Sequence, residues 1–460
     1  MSAARDRPAR GQALFAFASV ALLFVAITWL DRTGPRAPAT VDTGAAASGA
    51  WICPHGGGSA LSVAVFLANP GEDSVTARVS LLGSASAEPP AIYDVAGGNT
   101  VRIDLGPEDR GAATYVEFFG GWIGAGWVSF TDEGAAAEPC AGEGSRGWYL
   151  ADGSTEPDED SYVVVTNPYS GPAVLDVVLY SSDQPPVRHS DWTDLVVPAR
   201  RSLALHLNER LKGEPVIATT LQVSVGRVAA ASFDVSEGAL LRSALGWTEP
   251  AAAGIFPSMK GSGQAELLLL STAQRSIRFG ATALSEDQPR PAGGLTEQEH
   301  DPATARAYAV PQEGGPTAIH LFSLEDAPIV GALRVLGPGE DLGATAGAGA
   351  SSEAWVLLPA SARIPADPGA VLVNDGNSDV TATVELLPQG GVTAANRLTV
   401  RVPAHSAVAV PPDLWATAPG SAILIRADGP IVALAASTSR GSPDGDAFAL
   451  SVGIPLPQGS

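Results

Sequence analysis

The stretch Gly147-Trp148-Tyr149-Leu150-Ala151-Asp152-Gly153-Ser154-Thr155 opens a block of about 100 residues whose landmarks recur along the chain. Asn69-Pro70, Asn167-Pro168 and Asn374-Asp375-Gly376 each end an apolar run with turn residues that halt a β ladder. About thirty residues later, Val95-Ala96-Gly97-Gly98 lines up with Val197-Pro198-Ala199-Arg200 and with Val402-Pro403-Ala404-His405. A late strand then reads Trp127-Val128-Ser129-Phe130, Ala231-Ser232-Phe233-Asp234 or Ile431-Val432-Ala433-Leu434. Asn69 to Asn167 is a shift of 98 and Val95 to Val197 a shift of 102, so few residues are inserted between landmarks.

This register divides the chain into a cytoplasmic tail (1–10), a transmembrane signal-anchor helix (11–30), a flexible linker (31–50) and four β repeats. The repeats cover 51–146, 147–247, 248–346 and 347–460. The third is degenerate: it keeps Gly254-Ile255-Phe256-Pro257, the run Leu267–Leu270, Val310-Pro311 and Ala327-Pro328-Ile329-Val330, but has neither the opening Trp nor the Asn-Pro turn. Each unit shows seven or eight short strands by period-two alternation or β-branched runs, as in Leu61–Leu67, Val75–Leu81 and Val174–Tyr180. The expected fold is all-β: tandem immunoglobulin-like β-sandwich repeats, with a β-propeller of two blades per unit as the alternative.

Gly11 to Leu30 carries no charge and is long enough to cross a hydrocarbon core as a helix. Arg5, Arg7 and Arg10, opposed by Asp6 alone, place the short N-terminus inside and the bulk of the chain outside. A cleaved signal peptide is the rival reading. In an oxidising compartment Cys53 and Cys140 pair as a disulfide, and closing so long a loop stabilises by roughly 4–5 kcal/mol.

The net charge of −22 and the lack of clustered Lys and Arg argue against a nucleic-acid partner. No GxSxG, HExxH, Walker or dinucleotide-binding motif is present. His55, His189, His206, His300, His320 and His405 are scattered without metal-ligand spacing, and His55 reads as a loop residue. Asp375-Gly376-Asn377-Ser378-Asp379 begins like a calcium loop, but Val380 and Leu386 stand where that loop needs Gly and Glu, so it reads as a turn. Glu156-Pro157-Asp158-Glu159-Asp160 reads as a solvated loop. No cofactor, metal or catalytic residue is expected. Trp51, Trp148 and Trp355 recur at the repeat openings and read as core, whereas Trp122, Trp127, Trp192 and Trp415 do not recur and are the candidates for stacking on a sugar.

Trp148-Tyr149-Leu150-Ala151-Asp152-Gly153-Ser154-Thr155, Tyr162–Pro168 and Val197–Ser202 together resemble the Trp-Tyr-led β repeat of actinobacterial exported and envelope proteins. The chain is similar to an uncharacterised, membrane-anchored extracytoplasmic family of that group, closely over 147–247 and loosely over 51–460. The resemblance implies a cell-membrane location and no chemistry. The expected function is therefore non-enzymatic: a structural or adaptor protein binding other envelope proteins, with a carbohydrate-binding array facing wall polysaccharide and a cryptic glycoside hydrolase as the alternatives.

Overall fold

The computed structural model describes residues 48–457 except 85–88, 107, 237–240, 260–263, 312–315, 338–341, 363–365, 391–396, 416–417, 419 and 443–444. The tail, the anchor segment 11–30 and nearly all of the linker lie outside the described residues. Among the described residues there is no α-helix, only three short 3₁₀ stretches, and no helix long and apolar enough to cross a membrane. The protein is all-β.

The first block contains β1 (Ser48–Cys53), β2 (Ser62–Asn69), β3 (Val75–Leu82), β4 (Ala91–Val95), β5 (Asn99–Leu105), β6 (Ala113–Phe119), β7 (Gly124–Phe130) and β8 (Ala135–Pro139). The second contains β9 (Gly147–Leu150), β10 (Glu159–Asn167), β11 (Ala173–Tyr180), β12 (Val187–Arg188), β13 (Leu195–Val197), β14 (Arg201–His206), β15 (Ala218–Val225), β16 (Ala229–Ser236) and β17 (Leu241–Leu245). The third contains β18 (Ala253–Ser258), β19 (Gln264–Ser271), β20 (Ile277–Ser285), β21 (Arg290–Pro291), β22 (Gln298–His300), β23 (Thr304–Pro311), β24 (Thr317–Ser323), β25 (Val330–Leu336) and β26 (Leu342–Thr345). The fourth contains β27 (Ser352–Leu357), β28 (Ala366–Asn374), β29 (Val380–Leu387), β30 (Arg397–Val402), β31 (Ser406–Ala409), β32 (Ala422–Ser442), β33 (Gly445–Val452) and β34 (Ile454–Pro455).

One strand order recurs in all four. The first block forms antiparallel sheets β1-β6-β3-β4 and β5-β2-β7-β8; the second forms β9-β15-β11-β12, with β13 also on β11, and β14-β10-β16-β17. The third repeats this as β18-β24-β20-β21, with β22 on β20, and β23-β19-β25-β26. In the fourth, the 21-residue β32 runs through both sheets, giving β30-β29-β32-β27-β34 on one side and β31-β28-β32-β33 on the other.

Sheets pack on both faces. Leu267 and Leu269 lie in the core of the third block with Phe256 and Phe279, while Leu268 and Leu270 face Val178, Tyr180 and Val216 of the second. A leucine run with no alternation is what burial on two faces requires. The same stacking closes the circle: the first block meets the second where Ser202 N–H donates to Gly83 O (3.2 Å), and meets the fourth where Thr100 N–H and Oγ1–H donate to Pro388 O (2.9 Å) and Leu387 O (2.7 Å). Between the second and third, Arg334 Nε donates to Asp152 Oδ1 at 2.6 Å and its Nη2 to Gly153 O at 2.9 Å. No single sheet closes; the blocks do, around an axis where β8 and β26 each touch β17 and β33. Four backbones converge there because the strands carry Ala135, Ala136, Ala137, Ser243, Ala244, Gly343, Ala344, Ala447 and Ala449.

The recurring landmarks are bonded to each other. Asn69 Nδ2 donates to Val95 O (2.9 Å), Asn167 Nδ2 to Val197 O (3.0 Å) and Asn374 Nδ2 to Val402 O (3.1 Å), and each side-chain oxygen accepts an N–H two residues on. The Asp375–Asp379 segment therefore takes the same turn as Pro70–Asp73. In the third block the buried Ser271 holds this place, its Oγ accepting from Ala273 N–H at 3.2 Å. Left-handed backbone marks the next turn at Gly98 (φ 65), Arg200 (φ 52), Ala303 (φ 53) and His405 (φ 52). This places the counterpart of Val197-Pro198 at His300-Asp301; Val310 and Pro311, which the sequence suggests for it, end β23 instead. The register slips because His300 and Asp301 carry none of the Val-Pro signature.

The disulfide Cys53–Cys140 is formed, joining the end of β1 to the residue after β8, with Cα atoms 4.4 Å apart. In register, Ile52–Ala141, Tyr149–Trp247, Ile255–Ala348 and Val356–Ile454 are paired, so Cys140 corresponds to Gly246, Gly347 and Gly453. At those glycines a Cβ would meet Leu150, Phe256 and Leu357 respectively, the counterparts of Cys53. The disulfide thus replaces a close apolar contact that the other blocks make without a covalent bond.

Two outcomes follow for stability. Replacing both cysteines by alanine lowers the unfolding free energy by about 4.5 kcal/mol, the loop-closure value for a separation of 87 residues, read as a lower denaturant midpoint with native circular dichroism retained. Ala303→Gly removes a left-handed alanine and raises stability by about 0.5–1 kcal/mol in the same assay.

Candidate functional site

The connectors that follow the four axial strands surround a pocket of about 560 Å³. Every block contributes: Cys140–Glu143 from the first, Leu245–Glu249 from the second, Ala346 and Gly347 from the third, Val452–Pro455 from the fourth. Trp51, Trp148 and Trp247 add aromatic walls, and among the described residues the charged side chains that line the pocket are Glu138 and the two carboxylates at the exposed connectors, Glu143 and Glu249.

The Trp walls have a repeated origin. Indole N–H groups of Trp51, Trp148 and Trp355 donate to the carbonyls of Ile123 (2.7 Å), Val228 (2.6 Å) and Ile431 (2.9 Å); the first two stand just before the strand that pairs with the axial one, and Ile431 lies within it, in β32. In the third block Gly254 takes the Trp position, and Trp247 Cη2 lies 2.8 Å from where its Cβ would stand. Trp247 comes from the preceding connector, is anchored by Nε1 to Ala346 O (2.7 Å) and stacks on Phe256 with ring centroids 6.2 Å apart. An indole from outside the strand fills the slot that the degenerate repeat vacated.

Glu138 lines the pocket from the axial strand β8. It is 1 % exposed, and neither carboxylate oxygen has a hydrogen-bond partner. Burial pushes its pKa well above the usual carboxylate range; the backbone amides of Ala346 and Leu245 oppose this without reaching hydrogen-bond geometry, and the charge of Asp152 adds to it. The equivalent places in the other blocks hold Ala244, Thr345 and Ser451, all buried. One carboxyl therefore breaks the fourfold pattern at the axis. Nothing in the sequence reading singled it out, although a lone charge after Ala135-Ala136-Ala137 and before Pro139-Cys140 is the signal that could have done so.

The other sequence candidates lie elsewhere. Trp122, Trp127, Trp192 and Trp415 are all buried, at 9, 1, 6 and 5 % exposure, so none presents a ring face to a sugar. Trp122 packs edge-on against Trp51, and Trp192 lies beneath the Arg210 guanidinium. His55 lies in the connection after β1, as the sequence suggests, but it is fully buried: Nε2 is 2.9 Å from Thr114 Oγ1, and burial lowers its pKa to about 4. Within Glu156–Asp160, Glu156 and Asp158 are exposed as expected, but Glu159 is tied to the buried Arg242 through both oxygens at 3.1 Å. Burial alone would raise the Glu159 pKa; Arg242 outweighs it and holds the carboxyl at about 2. This segment borders a second concavity of about 740 Å³ with His206 and Lys212, whose carboxylate Asp160 contacts His206 at 3.1 Å. Among the described residues no group of three or more His, Cys, Asp or Glu could hold a metal ion.

The elevated pKa fixes a sign. Ionisation of Glu138 is easier in the unfolded chain, near 4.5, so the ionisation-linked cost of its burial is absent below that pH and grows above it by about 1.4 kcal/mol per pH unit until the folded-state value is reached. Glu138→Gln accordingly raises the melting temperature at pH 8 and leaves it little changed at pH 4, as checked by thermal denaturation at the two pH values.

No curated protein matches the chain. Residues 127–286, which run from β7 through the whole second block to the end of β20, match a family of unknown function (DUF5719).

Proposed function

We propose that this protein is a non-enzymatic scaffold of the cell envelope, anchored through residues 11–30 with the β blocks outside, that binds another envelope protein at the axial mouth. Each block is on this reading one two-sheet, immunoglobulin-like sandwich repeat, and the ring holds the connectors in place. The observation that carries it is the pocket to which all four blocks contribute, because a concavity at the junction of several units is where a rigid scaffold recognises a partner. The acidic surface and uncharged segment 11–30 support the address.

Site-specific photocrosslinking in cells tests it. A photoreactive residue at the exposed rim position Thr248 traps one discrete envelope protein, and the same residue at Ile92, exposed at the outer edge strand β4, does not. Equal labelling from both positions, or none from Thr248, overturns the reading.

A further inference from the structure

The axial mouth has a chemistry of its own. Its walls are indoles and small apolar residues, its charged side chains are Glu138, Glu143 and Glu249, and no basic side chain lines it. Glu143 and Glu249 sit at the exposed connectors, Glu143 also meeting Arg227 Nη1 at 3.5 Å outside the lining, while Glu138 is sealed on the axial strand with both oxygens unpartnered. An unpartnered buried carboxyl is expensive, and the compensation it lacks is a hydrogen-bonding positive charge. An organic cation with an apolar stem satisfies every element at once: the half-buried Trp247 indole and the apolar lining attract the stem and the charge, the rim carboxylates draw the cation in, and Glu138 receives it. An anion meets three carboxylates and no donor side chain of opposite charge.

Resting on the binding role proposed above, we infer that the axial pocket is a receptor for an ammonium or guanidinium group carried on an apolar stem, with Glu138 as the residue that recognises the charge. The Glu138 side chain has three rotatable bonds and turns toward the cation without breaking a hydrogen bond, since it makes none. Two sources supply this chemistry: a free alkylamine, and a lysine or arginine side chain of the partner protein.

Titration of the full-length protein in detergent with hexylamine, hexanol and a blocked lysine-containing hexapeptide, followed by tryptophan fluorescence, tests the assignment. Hexylamine at neutral pH is expected to bind at least tenfold more tightly than hexanol, and Glu138→Gln to abolish that preference while hexanol binding stays unchanged, which shows the variant pocket intact. Tighter binding of the peptide than of hexylamine marks a protein side chain as the source, and the reverse marks a free amine. Equal affinity for hexylamine and hexanol, no binding of either, or an amine preference that survives Glu138→Gln overturns the inference. Crosslinking from Thr248 that persists in the Glu138→Gln variant would leave the partner-binding reading standing while removing Glu138 from it.

Discussion

Everything in this fold depends on four edge strands meeting at one axis. An edge strand exposes unpaired N–H and C=O groups, and each block has one such edge on its inner side. Bringing β8, β17, β26 and β33 together covers those edges, but only if their side chains are small enough to let the backbones approach. The alanine and glycine content of these strands is the consequence, and the closed order of blocks is in turn a consequence of the convergence. The outer edges face no such demand: β4 is exposed along most of its length, and the second half of β30 alternates exposed and buried positions as surface strands do.

The seams between blocks show that geometry, and no single interaction, is what repeats. The first and fourth blocks join through backbone carbonyls that accept from the buried Thr100, whereas the second and third join through Arg334 and the buried Asp152. A buried ion pair contributes little net stability once desolvation is counted, but removing one partner leaves an uncompensated charge. The Arg334 seam is therefore better understood as fixing which blocks are neighbours, with the apolar contact of Leu268 and Leu270 against Val178 and Tyr180 supplying the attraction.

The landmarks that made the repeat visible in the sequence are those whose chemistry is local. Asn69, Asn167 and Asn374 recur with Val95, Val197 and Val402 because one side chain bonds the other's carbonyl, so neither can drift without losing the turn. The third block escaped full registration because its turn needs only a left-handed backbone, which Ala303 supplies without the signature residues. What was not legible is how the blocks stand to one another. The run Leu267–Leu270 declares that two faces are buried, but it does not say against what. Nor could the solitary tryptophans be assigned, since a non-repeated indole can be core filler or a ligand platform, and Arg210, which covers Trp192, reaches it only once the chain has folded.

The site eluded the sequence for a related reason. A pocket made by four connectors about 100 residues apart has no local motif, and its residues become neighbours only when the axis closes. Repetition supplies the frame, and departures from repetition supply its identity. Three blocks close their connector with glycine against an apolar side chain; the first does so with a disulfide, two residues from Glu138. A covalent clamp beside a destabilising buried carboxyl holds the strand in place against the cost of that carboxyl. Stability and recognition are thus concentrated in one turn of the first block, and the other three blocks form the wall around it.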